Sequence, residues 1–222
     1  MERHFELDLR HLEDRFLAMG DLVCEAIHSC IQGLQGLDQV SAMKVVDRIE
    51  PEVNALHHEV DGLGMDLLTL QHPVATDLRL VTAIMKNNKD LERMSDRAVN
   101  VALLVVSILS RPPIRQVVDM TRMGEAVEAM ASDALGAFKR RDNHLAIDVL
   151  RRDDEVDRCR DTVFQDLLSE MKTDPQLIHN GVDLILIARN FERIADHATN
   201  IAESVVFLVL GKDIGHLAEG IR

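Results

Sequence analysis

Apolar residues recur along the chain at alternating steps of three and four, in six runs. Leu9, Leu12, Phe16, Met19, Val23, Ala26 and Cys30 make the first, and Ile49, Val53, Leu56, Val60, Leu63, Leu67 and Leu70 the second. The third is Ile84, Leu91, Met94, Ala98, Val101, Val105 and Ile108, with Asn87 interrupting its seam. Met120, Met123, Val127, Met130, Ala134 and Ala137 form the fourth, and a looser fifth contains Val149, Val156, Cys159, Val163 and Leu167. The sixth is nearly perfect: Leu184, Ile187, Phe191, Ile194, Ala198, Ile201, Val205 and Leu208. This is the a/d spacing of helices packed at about +20°. No stretch alternates with period two, so the pattern predicts an all-α fold of six long helices with these positions as its core.

The helix-breaking residues agree. His72-Pro73 ends the second helix, Asp77 lies near the start of the third, and Arg111-Pro112-Pro113 breaks the chain in the middle. Asp174 is placed to cap the sixth helix with Pro175 in its first turn, and Gly211 suits that helix's C-terminus. Helices of roughly 28–35 residues follow, ~45 Å long at 1.5 Å per residue. Pro51 implies either a kink in the second helix or a start near Glu50.

The two halves repeat each other. Leu91-Glu92-Arg93-Met94-Ser95-Asp96-Arg97-Ala98-Val99-Asn100-Val101-Ala102 aligns with Phe191-Glu192-Arg193-Ile194-Ala195-Asp196-His197-Ala198-Thr199-Asn200-Ile201-Ala202. Further back, Glu50-x-x-Val53-Asn54 aligns with Asp153-x-x-Val156-Asp157. The expected organisation is two tandem three-helix bundles over 1–110 and 114–222, hinged at 111–113.

Composition narrows the function. Against 25 Lys and Arg stand 38 Asp and Glu, a net charge of −13. Nucleic acid or anionic lipid as the main partner would need a basic footprint that this balance lacks. An acidic surface favours cations or basic protein patches. Trp and Tyr are absent, which removes most stacking sites for bases or sugars. Three cysteines with no CxxC fit a reducing compartment and buried thiols. The longest apolar stretch, about Ala98–Leu109, falls short of the ~20 residues a membrane span needs, and the charged opening of the chain is unlike a signal peptide. A soluble cytoplasmic protein is expected.

The chemistry concentrates on stacked acidic residues. With Leu184 at position a, Glu192, Asp196 and Asn200 fall outside the a/d seam, four apart on one face. Glu92, Asp96 and Asn100 repeat this on the third helix. The fifth helix adds Asp153, Asp157 and Asp161, and the second adds Glu50, Asn54 and His58. Like charges at i, i+4 destabilise by about 0.2–0.5 kcal/mol per pair, so something must compensate. In one reading, Arg93 and Arg193 neutralise a merely solvated face. In the other, carboxylates from adjacent helices converge on hard cations, and oxygen ligation suits Mg, Mn, Ca or Fe rather than structural Zn. The second half has Asp157, Asp161, His197 and Glu203 where the first offers Asn54, His58, Arg97 and Leu103, so the second site is expected to bind more tightly.

Motifs for nucleophilic catalysis, phosphate loops and zinc proteases are missing. A di-iron oxidase would need two Glu-x-x-His motifs, and Glu25-Ala26-Ile27-His28 occurs once. A non-enzymatic protein is expected, with a carboxylate-bridged metalloenzyme or a plain helical scaffold as the alternatives.

Gln71-His72-Pro73-Val74-Ala75-Thr76-Asp77-Leu78-Arg79 resembles the signature of the PhoU family. The two Glu-Arg-x-x-Asp-x-Ala-x-Asn blocks resemble its paired metal motifs, and Val206-Phe207-x-x-x-Gly211 its C-terminal ending. The resemblance covers essentially the whole chain. It implies tandem three-helix bundles with multinuclear metal clusters on their surface, built from divalent or trivalent ions such as Fe, Mn, Mg or Zn. It also implies a regulator of phosphate homeostasis that acts with a phosphate ABC transporter and a sensor histidine kinase. Such a protein restrains uptake and starvation signalling when phosphate is plentiful. A homodimer is implied, peripheral to the membrane through protein partners only. On matching positions, Glu92, Asp96, Glu192 and Asp196 would be metal ligands, with Asp153, Asp157 and Glu50 contributing. Asn54 and Leu103 depart from the pattern in the first repeat.

Overall fold

A computed structural model describes residues 2–111 and 118–211, and these residues contain helices and no strand. The first half holds α1 (Glu2–Gly36), α2 (Gln39–Lys44), α3 (Glu50–Asp66) and α4 (Ala75–Leu109). The second holds α5 (Val118–Arg140), α6 (Asn143–Thr173) and α7 (Ile178–Leu210). A π turn at Val45–Ile49 joins α2 to α3 without a break, and a second at Leu67–Gln71 extends α3. Counting that composite as one rod, the described residues form six long rods.

The composite rod explains Pro51. Proline has no N–H, and its ring crowds the carbonyl four residues back. The wider turn just before it, closed by the Glu50 N–H on the Val45 carbonyl, absorbs both demands, and α-helical bonding restarts at Glu50. Asp174 accepts from the Gln176 N–H at 2.9 Å and starts a 3₁₀ turn, Pro175–Leu177, that leads into α7. Gly211 ends α7 at φ 65°, a left-handed conformation that costs glycine nothing. Most of the expected hinge, Pro112 and Pro113, lies outside the described residues. Arg111, at its edge, donates to Asp183 at 2.8 Å and Asn180 at 3.2 Å, tying the end of α4 to α7.

The duplication reaches into the turns. Leu37 and Arg141 both take positive φ, at 49° and 54°. Each is followed by an Asp whose backbone N–H returns to the preceding helix, Asp38 to Gly33 and Asp142 to Ala137. Each Asp then caps the next helix, Asp38 through the Val40 and Ser41 N–H groups, Asp142 through those of His144 and Leu145.

Within each half three rods pack together, α1 with α3 and α4, and α5 with α6 and α7. The halves then join through two antiparallel pairs, α4 with α7 and α1 with α5, about a pseudo-twofold axis. At the α1–α5 crossing a glycine faces a branched side chain twice over. A Cβ on Gly20 would stand 2.6 Å from Leu135 Cδ2, and one on Gly124 would stand 2.8 Å from Ile31 Cγ1. The buried apolar side chains form one continuous core across both repeats, from Leu12 and Phe16 to Phe191 and Val205. Phe16 and Phe138 meet in it at 4.9 Å. No described helix is long and apolar enough to cross a membrane.

Of the cysteines, Cys30 is buried and donates to the Ala98 carbonyl at 3.2 Å, whereas Cys24 and Cys159 are half-buried. Burial, with Asp21 and Glu128 nearby, pushes the Cys24 thiol up to about 12, and burial raises Cys30 as well. The thiolate is the reactive form. Alkylation of the native protein near neutral pH is therefore expected to spare Cys24 and Cys30 under conditions that label the unfolded chain. Prompt labelling of either, read by mass spectrometry, would contradict their enclosure.

Candidate metal centre

Position b of α7 points at α6 rather than at water, and this decides where Glu192 goes. Its side chain is only 12% exposed, so a place outside the a/d seam does not put this carboxylate in water. A buried carboxylate requires a partner, and Arg160 of α6 supplies it. Arg160 Nη1 donates to Glu192 Oε1 at 3.0 Å and lies 3.2 Å from Asp157 Oδ1. Its Nη2 donates to Asp161 Oδ1 at 2.9 Å. The guanidinium is held above its ordinary pKa, chiefly by the hydrogen bond to Asp161, with burial opposing. Arg193 approaches the same face from α7, with Nε 3.6 Å from Glu192 and Nη1 3.0 Å from Asp196. The groove beside these groups, about 400 Å³, is lined by Arg160, Phe164, Ile185, Arg189 and Glu192.

The second repeat thus brings together Glu192, Asp157 and Asp161, with Asp196 alongside, and binds them to arginines. Asp153 lies a turn earlier on α6, half-buried. Asn200 does not join them: its amide donates to Asp90 Oδ1 of α4 at 3.0 Å. His197, the extra donor expected of the second site, also turns to α4, with Nδ1 2.9 Å from Asp90 Oδ1.

In the first repeat, Glu92 is half-buried on α4, Asp96 and Asn100 are exposed, and Glu50 sits in the first turn of α3. None of the four side chains makes a hydrogen bond or ion pair among the described residues. The register of the two repeats puts His57 where the second has Arg160. Its Nε2 is 3.6 Å from Asp61, while its Nδ1 is buried with no partner. Among the described residues no three His, Cys, Asp or Glu side chains are already gathered tightly enough to hold a metal ion. The donor chemistry nonetheless fits a hard cation in the second repeat. Glu192 and Asp157 both touch one guanidinium nitrogen, so oxygens from two helices already share one positive centre.

Glu25 and His28 part company. Glu25 pairs with Lys44 at 2.8 Å and with Arg48, which lower its pKa, while His28 meets Glu128 of α5 at 3.1 Å. The lone Glu-x-x-His is no metal motif.

A polar seam between α4 and α7 escaped the sequence reading. Asp90, 9% exposed, receives His197 and Asn200. One helical turn away, the Ser204 hydroxyl donates to Asn87 Oδ1 at 2.9 Å. The break at Asn87 in the third apolar run was its one visible sign. Arg160 was also missed, although an arginine set among Asp157, Asp161 and a facing glutamate hints at a cation between acids.

Comparison with known proteins agrees with this architecture. The PhoU domain model matches residues 16–105 and again 120–205. The phosphate-specific transport system accessory protein PhoU homolog of Pseudomonas aeruginosa is 34% identical over 218 residues, covering 98% of this chain and 90% of that protein. The homolog of Zymomonas mobilis is 37% identical, covering 97% and 91%. The crystal structure of PhoU from Pseudomonas aeruginosa superposes with a TM-score of 0.90 at 34% identity, over 94% of this chain and 100% of that one. The phosphate transport system regulatory protein PhoU from Streptococcus pneumoniae gives 0.86 at 29%, over 94% and 98%.

Proposed function

The chain belongs to the PhoU family, and from that membership we propose that it is a non-enzymatic accessory protein of phosphate transport. It acts in the cytoplasm with a phosphate ABC transporter and a sensor histidine kinase, and it restrains uptake and starvation signalling when phosphate is plentiful. The observation that carries this reading is the end-to-end likeness, spanning both repeats, to relatives named for phosphate-specific transport. Two antiparallel helix pairs give a rigid body with long faces, and such faces suit docking on other helices. We further propose that it works as a homodimer and that its acidic faces take up divalent or trivalent ions. Glu192, Asp157, Asp161 and Asp196 would hold them in the second repeat, and Glu92, Asp96 and Glu50 in the first. A bound ion would cancel repulsion between stacked carboxylates and change the charge presented to a partner.

A strain lacking the chain is expected to express a phosphate-starvation reporter in phosphate-rich medium, with wild-type output restored by complementation. Unchanged output would refute the negative-regulator reading. Retention of the transporter or the kinase in a pull-down from phosphate-replete cells tests the partners, and metal-dependent turnover of phosphoesters would favour an enzyme instead.

A further inference from the structure

Arg160 stands where a cation would be expected to stand. One guanidinium reaches Glu192, Asp157 and Asp161 at 3.0, 3.2 and 2.9 Å, bridging α6 and α7 as a shared ion would. We propose that Arg160 is a resident counter-cation of the second repeat, one that a divalent cation must displace in order to bind there. This rests on the reading that the acidic faces take up metal.

Charge and burial make the exchange compulsory. A divalent ion cannot share these oxygens with a guanidinium in contact, because two like charges would then lie within a few ångströms of each other. Arg160 is 32% exposed and can swing towards water, whereas Glu192 at 12% cannot follow it. Glu192 therefore always needs a cation beside it, either the arginine or the metal. Arg193 covers its other oxygen only at 3.6 Å and is committed more closely to Asp196.

The first repeat lacks this device. His57 takes the equivalent place and leans on Asp61, and Glu92, Asp96 and Glu50 hold no positive side chain among the described residues. The two faces consequently differ in kind. The first is open to a cation, while the second is filled by the protein's own charge and yields it only in exchange. Counting carboxylates alone ranks the second site as the tighter; counting the resident cation reverses the order.

Mn²⁺ binding, followed by the loss of the free-ion EPR signal, tests this. In an E92Q/D96N background, which silences the first face, R160Q is expected to tighten Mn²⁺ binding about tenfold, the loss of one charge-assisted contact. R160K, which keeps the charge, is expected to leave binding as in the background protein. R160Q is also expected to melt lower without Mn²⁺ and to regain more stability on adding it than the wild type does, a rescue that a purely structural arginine would not show. Unchanged or weaker binding in R160Q would overturn the proposal. With position 160 untouched, E92Q/D96N is expected to lose more Mn²⁺ affinity than E192Q/D196N, and equal losses would likewise overturn it. If the wild type and every variant bind no Mn²⁺, the metal reading itself falls and this proposal falls with it. If the wild type binds and R160Q does not tighten, only this proposal falls.

Discussion

Replacing Phe191 by alanine is expected to cost about 3–5 kcal/mol of unfolding free energy, with the midpoint falling about 2–4 °C per kcal/mol in a chain of this size. Phe191 is fully buried in α7, and its ring reaches α5 at Gly124, where an added Cβ would stand 3.1 Å from Cζ. Glycine has no side chain to relax into the space the ring would leave. Ile31 lies on the same side, its Cγ1 2.8 Å from where that Cβ would stand, and is already packed. The cavity should therefore stay open, which places the loss at the upper end of the range for buried aromatics. Gly124→Ala alone should destabilise, and it is expected to cost less in the Phe191→Ala background, because the ring contact is gone and Ile31 can shift into the vacated space. Urea unfolding measures both, and a loss below about 1.5 kcal/mol for Phe191→Ala would mean that α5 and α7 close on the gap.

The second large effect is expected at Asp90. Asp90→Ala removes the acceptor shared by His197 and Asn200 and leaves two polar groups facing each other inside the α4–α7 seam. A loss of about 3 kcal/mol follows from stranding them. Asp90→Asn keeps an oxygen in place and is expected to lose only about 1 kcal/mol. Should the two substitutions be equally mild, the seam is hydrated and its polar contacts contribute little. Should they be equally severe, the carboxylate charge matters and the acceptor oxygen does not.

The fold was legible because its core follows one rule. Most residues at a/d spacing from Leu12 to Leu208 are buried, whereas Leu70, in the π turn that ends the second rod, is exposed, and Asp174, Pro175 and Gly211 end their helices by local chemistry alone. Pro51 was ambiguous because a π turn depends on hydrogen bonding that side-chain periodicity does not encode. The Leu37 and Arg141 turns were silent, since neither residue is one that favours left-handed backbone. The candidate metal face was legible as a set of acids and illegible as an arrangement. Heptad positions separate seam from surface, but position b borders the neighbouring helix, and only the packing of α6 on α7 decides that Glu192 is covered. Nothing in the sequence joins Asp90 to His197 or Asn87 to Ser204, because these partners lie far apart in the chain and meet only when the repeats dock.

The way the halves meet bears on how such a chain could arise. Gly20 against Leu135 and Gly124 against Ile31 are one contact made twice, as between two copies of a smaller ancestor that assembled with itself. In such an assembly every residue near the axis must suit both of its positions. Asp90 opposite His197 breaks that rule, for the matching places hold Asn190 and Arg97. Joining the two copies end to end released each residue from serving two surroundings, so one half could acquire an acid, the other a base, and only one of the two faces an arginine of its own.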